Sequence, residues 1–167
     1  MNRSQKMFLV KFFVAVVVLY LFVAWNPIND HVVVPITQVI VRVAGLILHA
    51  IGQDVIVSGT TISSSRFAVN INNGCNGLEA MLMILAAIGS FRATMRERLI
   101  GLAIAVATVQ VLNQLRIISL YLIGAYQPSL FPVFHTTVWQ GVVMLAAIVV
   151  FLQWSAGIAP NRPADST

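Results

Sequence analysis

The chain has 167 residues, of which 59% are hydrophobic and only 9% are charged. An ordinary soluble domain is about 45–50% apolar and about 25% charged, so this composition excludes a soluble fold and favours a single membrane-embedded domain. The net charge of +5 does not indicate nucleic acid, because the basic residues stand in short clusters beside apolar runs, the positive-inside pattern of membrane proteins.

Four apolar stretches predict an all-α polytopic membrane protein, since a helix needs roughly 20 apolar residues to cross a bilayer. The first stretch resembles a signal-peptide core, but it lacks a convincing cleavage site and we expect it to be retained. The membrane domain is predicted to cover residues 1–159, and residues 160–167 to form a flexible cytoplasmic tail. In chain order, the four predicted spans are residues 7–25, 78–91, 99–123 and 137–154.

A fifth stretch, residues 31–51, has polar or helix-disfavouring residues at alternating spacings of four and three, which draw one polar stripe along a Val/Ile/Leu helix. Such a helix either lies in the outer interface or spans the membrane with its polar face inward. The basic clusters at the N-terminus and at residues 92–98 share a side only if two spans separate them, which favours the interfacial helix. The stripe consists of His31, Pro35, Gln38, Arg42, Gly45 and His49.

Residues 54–73 change to a period of two, in which Phe67, Val69 and Ile71 alternate with smaller or polar residues after a Ser-rich break. This pattern predicts a short β-hairpin directly before the cysteine. Because an isolated hairpin is marginally stable, we expect it to rest on helices or on the membrane.

Cys75, the single cysteine, lies in the run NNGCNG at residues 72–77. The glycines permit a tight turn. A helix that begins near Gly77 would place the thiol where free amides and the helix dipole favour the reactive thiolate. The alternative is a small buried hydrophobe, which is the usual situation of a free cysteine.

Two further residues are predicted near the same outer face. Arg116 lies late in the third span, where a charge costs at least about 2.5–3.5 kcal/mol near the helix centre. Its candidate role is a fixed cation for a substrate carbonyl or oxyanion, and the alternatives are snorkelling to the interface or a bridge to Glu79. His135, just before the fourth span, is a candidate general acid and base, with an ordinary interfacial histidine as the alternative.

Three more residues are candidates for supporting roles. Glu79 lies four residues after the cysteine and shares its helix face, so it is expected to orient His135, to pair with Arg116 or to contact a basic substrate segment. Asn76 adjoins the cysteine, and Asn113 lies one helical turn before Arg116.

The run Asn73-Gly74-Cys75-Asn76-Gly77-Leu78-Glu79-Ala80 resembles the cysteine motif of the exosortase/archaeosortase family. The run Asn113-x-x-Arg116-Ile117 and the later His135 follow in the family's order of Cys, Arg and His. The resemblance covers about residues 10–154 and is strongest to the exosortase H subgroup. Many family members have Cys-Ser-Gly where this chain has Cys75-Asn76-Gly77.

What the resemblance implies is a multi-pass cysteine transpeptidase of the bacterial inner membrane, with its site facing the periplasm. Its partners would be membrane lipid and secreted proteins with a C-terminal sorting signal, made of a short motif, a hydrophobic helix and a basic cluster. Cys75 would attack the scissile carbonyl and form a thioester, Arg116 would stabilise the oxyanion, and His135 would protonate the leaving amine. The resemblance implies no metal and no organic cofactor.

Two non-enzymatic alternatives stay open at this point. A small transporter or channel subunit would use Gln110, Asn113 and Arg116 to line a polar path, and the cysteine would be incidental. A membrane scaffold would retain the substrate without acting on it, and its thiol would react slowly, like an ordinary one.

Overall fold

The computed structural model of the chain describes residues 3–158. These residues form five helices and, between the second and third helix, three short strands. Short π-helical turns interrupt α2 at Asn29–Val33 and α5 at Phe134–Val138. The predicted tail, residues 160–167, lies outside the described residues. The helices are α1 (Arg3–Ala24), α2 (Asn26–Ala50), α3 (Leu78–Ser90), α4 (Met95–Tyr126) and α5 (Pro128–Ile158), and the strands are β1 (Ile56–Ser58), β2 (Thr61–Ser63) and β3 (Ala68–Asn70).

A four-helix bundle is formed by α1, α3, α5 and the first half of α4, with α3 in contact with the other three. Small side chains let these helices approach closely, as is usual where lipid supplies no hydrophobic driving force between them. Ala80 packs with Val109 and Val143, and Ile88 packs near Ala105 further along α3. We call the two ends of the bundle the cysteine end, at residues 71–77, and the basic end, at residues 92–98.

The basic end is fixed by a capped helix start. Thr94 and Glu97 form a reciprocal capping box at the first turn of α4, which satisfies amides that the helix itself leaves unpaired. Trp154 of α5 lies over Gly101 and donates from Nε1 to the Glu97 carbonyl at 3.0 Å. The end of α5 is thereby held against the start of α4.

Because α4 is longer than the bundle, the chain has a second hydrophobic core, which lies around the end of α4. Its 32 residues measure about 48 Å, whereas the hydrocarbon core of a bilayer is about 30 Å thick. Residues 114–126, beyond the bundle, pack against α2 and the sheet: Gln114 donates to the Ile40 carbonyl at 3.1 Å, and Tyr126 donates to Gln53 at 3.0 Å. The second core contains Ile40, Val41, Ala44, Leu48, Val55, Ile62, Ile71, Ile117 and Tyr121.

The three strands form an antiparallel meander in the order β1-β2-β3. Ile62 of the central strand pairs with Val57 on one side and Val69 on the other, and it is fully buried in the second core. The predicted β structure before the cysteine is therefore confirmed. It has three strands instead of two because a turn with Gly59 at φ 60° divides the first predicted strand.

Among residues 3–158, four helices are long and apolar enough to cross a membrane, namely α1, α2, α4 and α5. The prediction of an all-α polytopic membrane protein is thus confirmed. The four long helices differ from the four predicted spans in one place, because α2 is among them and the segment at residues 78–91 is not. The predicted span at residues 78–91 is the 13-residue α3, which is about 20 Å long, and the helix that includes residues 31–51 has 25 residues. Although α3 is short, its three neighbouring helices hold it inside the bundle.

The face of α2 that packs on the protein is not its polar stripe. Four members of the predicted stripe are exposed, Gln38 is half-buried, and Gly45 is buried against Val57. A second exposed stripe is apolar, so the outward side of α2 is suited to touch both water and lipid. An inward polar face, one of the two predicted arrangements, is therefore wrong. The exposed polar members are His31, Pro35, Arg42 and His49, the apolar ones are Ile36, Val39, Val43 and Leu46, and the buried face has Thr37, Ile40, Val41, Ala44 and Leu48.

We expect Gly124→Ala to destabilise the chain by about 1–3 kcal/mol, because a methyl group there would overlap the ring of Phe67. Gly141→Ala is the matched control, since a Cβ at that helical glycine meets no atom within 4 Å. Thermal unfolding of both purified variants in detergent measures the difference. Equal loss of stability in the two variants would show that the Phe67 contact contributes nothing.

Candidate active site

Cys75, Arg116 and His135 belong to three separate segments and meet at the cysteine end. Cys75 precedes α3, Arg116 lies in α4, and His135 lies in the π-helical turn of α5. The Cys75 sulfur is 2.9 Å from His135 Nε2 and 4.0 Å from Arg116 Nη2. Together, a thiol, an imidazole and a permanent cation suffice for acyl transfer through a cysteine. Their catalytic roles remain predictions.

The cysteine is held on a tight turn with a glycine on either side. Gly74 has φ 89° and Gly77 has φ 77°, in the left-handed region that favours glycine. At Gly77 a side chain would also crowd α4, because a Cβ would come within 3.1 Å of Asn113. The two glycines thus allow the turn to bend sharply and to lie close against α4.

Asn76 holds this turn in place. Its Nδ2 donates to Thr37 Oγ1 of α2 at 3.1 Å and to Asn73 Oδ1 at 3.3 Å, while its Oδ1 accepts from the Leu78 amide at 3.1 Å. Because Asn76 is almost fully buried, losing these bonds would leave unsatisfied polar groups. Sequence reasoning missed Thr37, since a threonine inside a helix ordinarily bonds back to its own helix, as Thr37 also does to the Val33 carbonyl.

Arg116 connects the segments of the other two residues. It is 3% exposed, and it donates from Nη1 to the Gly74 carbonyl at 3.2 Å and from Nη2 to the His135 carbonyl at 3.4 Å. Both predicted alternatives, snorkelling and a bridge to Glu79, are wrong, because the guanidinium is buried and points at these backbone groups. Hydrogen bonds from a charged donor are stronger than neutral ones, so these two bonds hold the segments of Cys75 and His135 at a fixed separation.

The imidazole of His135 is supported by a row of aromatic rings. It stacks on Phe131, with centroids 5.4 Å apart and planes 11° apart. Phe131 in turn packs on Phe67 at 5.4 Å, and Phe67 packs on Tyr121 at 6.2 Å. Sequence reasoning missed Phe131, although a ring four residues before a histidine in a helical segment is the spacing at which two side chains meet.

The surroundings of Cys75 favour its neutral thiol. Burial raises the pKa of the thiol, the Arg116 guanidinium opposes that rise, and the Glu79 carboxylate adds to it. The helix α3 begins at Leu78 with Gly77 as its N-cap, close to the predicted start, and a thiolate favoured by this helix end stays a prediction. A thiol with a raised pKa needs a base, and His135 Nε2 is close enough to accept its proton.

The remaining candidates lie around this centre. Glu79 is half-buried and faces Gly74; it bonds neither to Arg116 nor to His135. Asn113 is fully buried against Gly77, and neither polar atom of its amide has a hydrogen-bond partner among the described residues. Within residues 3–158, no group of three or more His, Cys, Asp or Glu side chains could hold a metal ion.

Comparison with known proteins gives one result that bears on this geometry. A family model described as Transmembrane exosortase (Exosortase_EpsH) matches residues 4–154, which include the bundle, the sheet and all three converging residues. No curated protein and no solved structure matches the chain. The family resemblance found in the sequence is thereby confirmed.

We expect the alkylation rate of Cys75 by iodoacetamide to rise with pH, with a midpoint above the usual thiol value of about 8.5. The thiolate is the reacting form, and it becomes abundant only as the pH approaches the raised pKa of the thiol. Arg116→Gln removes a charge that stabilises the thiolate, so its midpoint should lie at still higher pH, whereas Arg116→Lys keeps the charge and should shift less. Mass spectrometry of the intact chain gives the rates. A midpoint at or below about 8.5 in the unmodified chain would contradict this account.

Proposed function

The chain belongs to the transmembrane exosortase family, and on that premise we propose that it is a cysteine transpeptidase that processes C-terminal sorting signals of secreted proteins. The observation that carries this proposal is the contact of 2.9 Å between the Cys75 sulfur and His135 Nε2, beside the guanidinium of Arg116. A base within hydrogen-bond reach of a cysteine is the arrangement that activates this nucleophile.

The first half of the reaction forms a thioester. His135 Nε2 takes the thiol proton as the Cys75 sulfur bonds to the scissile carbonyl carbon, and the carbonyl oxygen becomes an oxyanion. Arg116 Nη2, which lies 4.0 Å from the sulfur, is placed to donate to that oxyanion. When the carbon–nitrogen bond breaks, the proton on His135 passes to the leaving amine.

The second half releases the product. An acceptor with an ionisable hydrogen, either water or an amine or alcohol group, attacks the thioester carbonyl while His135 accepts its proton. The carbon–sulfur bond then breaks, and the proton returns to the sulfur of Cys75. An electrically neutral thiol–imidazole pair is thereby restored for the next substrate.

The non-enzymatic alternatives fit these contacts less well. A transporter or channel would need Asn113 and Arg116 to face a polar path, but Asn113 is closed off by Gly77 and Arg116 by Gly74 and His135. A scaffold has no need of a base held in contact with its thiol. The enzymatic proposal uses all of these contacts.

We further propose that the protein crosses the bacterial inner membrane with its cysteine end on the periplasmic side. The basic end has Arg92, Arg96 and Arg98 between α3 and α4, and such clusters mark the cytoplasmic side. The cysteine end then meets substrates after their export. The sorting-signal helix would lie within the bilayer beside the bundle, with its outer end near Cys75.

A secreted reporter whose C-terminus has a sorting signal from the same cell tests the reaction. With the unmodified chain, the reporter should lose the signal and a thioester sensitive to hydroxylamine should accumulate on Cys75. Cys75→Ala and His135→Ala should abolish both signals, and Arg116→Gln should slow cleavage by roughly 10²–10³-fold. Mass spectrometry of the reporter measures each result.

His49→Ala is the matched control for this assay, because His49 is an exposed histidine on α2. Its cleavage rate should equal that of the unmodified chain. Cleavage that continues in Cys75→Ala at the unmodified rate would rule out the proposed enzyme.

The single cysteine also permits a test of orientation. A membrane-impermeant maleimide added to intact spheroplasts should label Cys75, at a slow rate that rises with pH. The control is a Cys75→Ala chain with the added substitution Met95→Cys at the exposed basic end, which should react only after permeabilisation. The opposite pattern would mean that the cysteine end faces the cytoplasm.

A further inference from the structure

A small cavity adjoins the cysteine turn next to α1. Its volume is about 160 Å³, well below the roughly 300 Å³ at which sites for drug-sized ligands begin, so it suits one side chain. Its walls include Tyr20 and Val23 of α1, Asn73 of the turn, and Glu79 and Leu82 of α3. The cavity is therefore part of the bundle and also reaches the turn that holds the cysteine.

The backbone of Gly74 separates this cavity from the cysteine site. The Gly74 carbonyl accepts a hydrogen bond from Arg116, whereas its α-carbon faces the cavity, since a Cβ built there would lie 3.6 Å from Glu79 Oε1. Glu79 is close enough to Cys75 for its charge to act on the thiol. A group bound in the cavity would thus lie against Asn73 and Gly74, the residues of the turn that directly precede Cys75.

The carboxylate of Glu79 forms no hydrogen bond and no ion pair with another of the described residues. Its negative charge interacts electrostatically with Tyr20 and Cys75. The nearby cation, Arg116, directs its bonds to Gly74 and His135 instead. Because Glu79 is half-buried beside apolar walls, a cation that enters the cavity would gain from an interaction that water screens only in part.

We propose that this cavity, with Glu79 at its wall, is a specificity pocket for a positively charged side chain, lysine or arginine, at the substrate residue that contributes the scissile carbonyl. The inference rests on the proposed function, because it assumes that a peptide carbonyl is attacked by Cys75. The apolar walls Val23 and Leu82 suit the methylene stem of such a side chain, and Glu79 suits its charged end. Glu79 is a specificity-determining residue and takes no part in the proton transfers.

The test uses two chloromethyl ketones that alkylate cysteine and differ only in the terminal ammonium group of the side chain, Nα-tosyl-lysyl and Nα-tosyl-norleucyl chloromethyl ketone. Each places its side chain beside the carbonyl at the position of the scissile bond. In the unmodified chain, the lysyl reagent should alkylate Cys75 roughly tenfold faster than the norleucyl reagent, as one partly screened charge pair would give. Both react with the same thiolate, so their ratio is independent of the thiol pKa.

In Glu79→Gln this ratio should fall to about one, while Glu97→Gln, at the basic end, should keep the original ratio. Val23→Phe fills the cavity but retains the carboxylate, so a ratio that falls there too shows that the cavity, and not long-range charge alone, creates the preference. Circular dichroism confirms that each variant is folded.

Two results separate this inference from the proposed function. Equal rates with the two reagents in the unmodified chain would overturn the pocket and leave the Cys75 chemistry intact. A lysyl preference that depends on Glu79, in a chain that cleaves no sorting-signal reporter, would support the pocket and overturn the proposed function.

Discussion

The arrangement of the cysteine end depends on one buried cation. Arg116 is almost inaccessible to solvent, and a charge so placed is costly unless hydrogen bonds compensate it. Its Nη1 and Nη2 donate to the carbonyls of Gly74 and His135, whereas its Nε has no partner among the described residues. The two bonds form only when the turn before α3 and the turn within α5 both lie against α4. The same condition brings a sulfur to within 2.9 Å of an imidazole. The contacts of Arg116 therefore also hold the thiol and the imidazole together.

The second constraint is geometric and comes from α4. A helix of this length extends past the bundle, and its extension would expose apolar residues if nothing covered them. The second half of α2 and the three strands provide that cover, and Asn76 links them to the cysteine turn through its bond to Thr37. The sheet and α2 thus act as a platform for the turn that holds Cys75.

Most of the membrane helices could be predicted from the sequence, because the composition and length of an apolar segment determine whether it can cross a membrane. Cys75, Arg116 and His135 stood out because each is chemically unusual beside an apolar run. The sequence was less informative where tertiary contacts decide: the polar stripe of α2 faces outward because Thr37 and its apolar neighbours pack inward. The rise in the pKa of the Cys75 thiol was also missed, since it comes from burial of the thiol in the folded chain. Such effects depend on partners distant in the chain, which periodicity does not reveal.

The site could not be moved to another protein without its aromatic row. This row runs from Tyr121 through Phe67 and Phe131 to His135. Phe67 belongs to the loop between β2 and β3 and packs on Gly124 of α4. Through Phe131, it supports the imidazole of His135 from outside the helix to which His135 belongs. Grafting only the cysteine, arginine and histidine onto another helical bundle would leave the ring free to rotate. The smallest unit that preserves the packing of His135 therefore includes the sheet. Loss of the loop that contains Phe67 would remove this support without changing Cys75, Arg116 or His135.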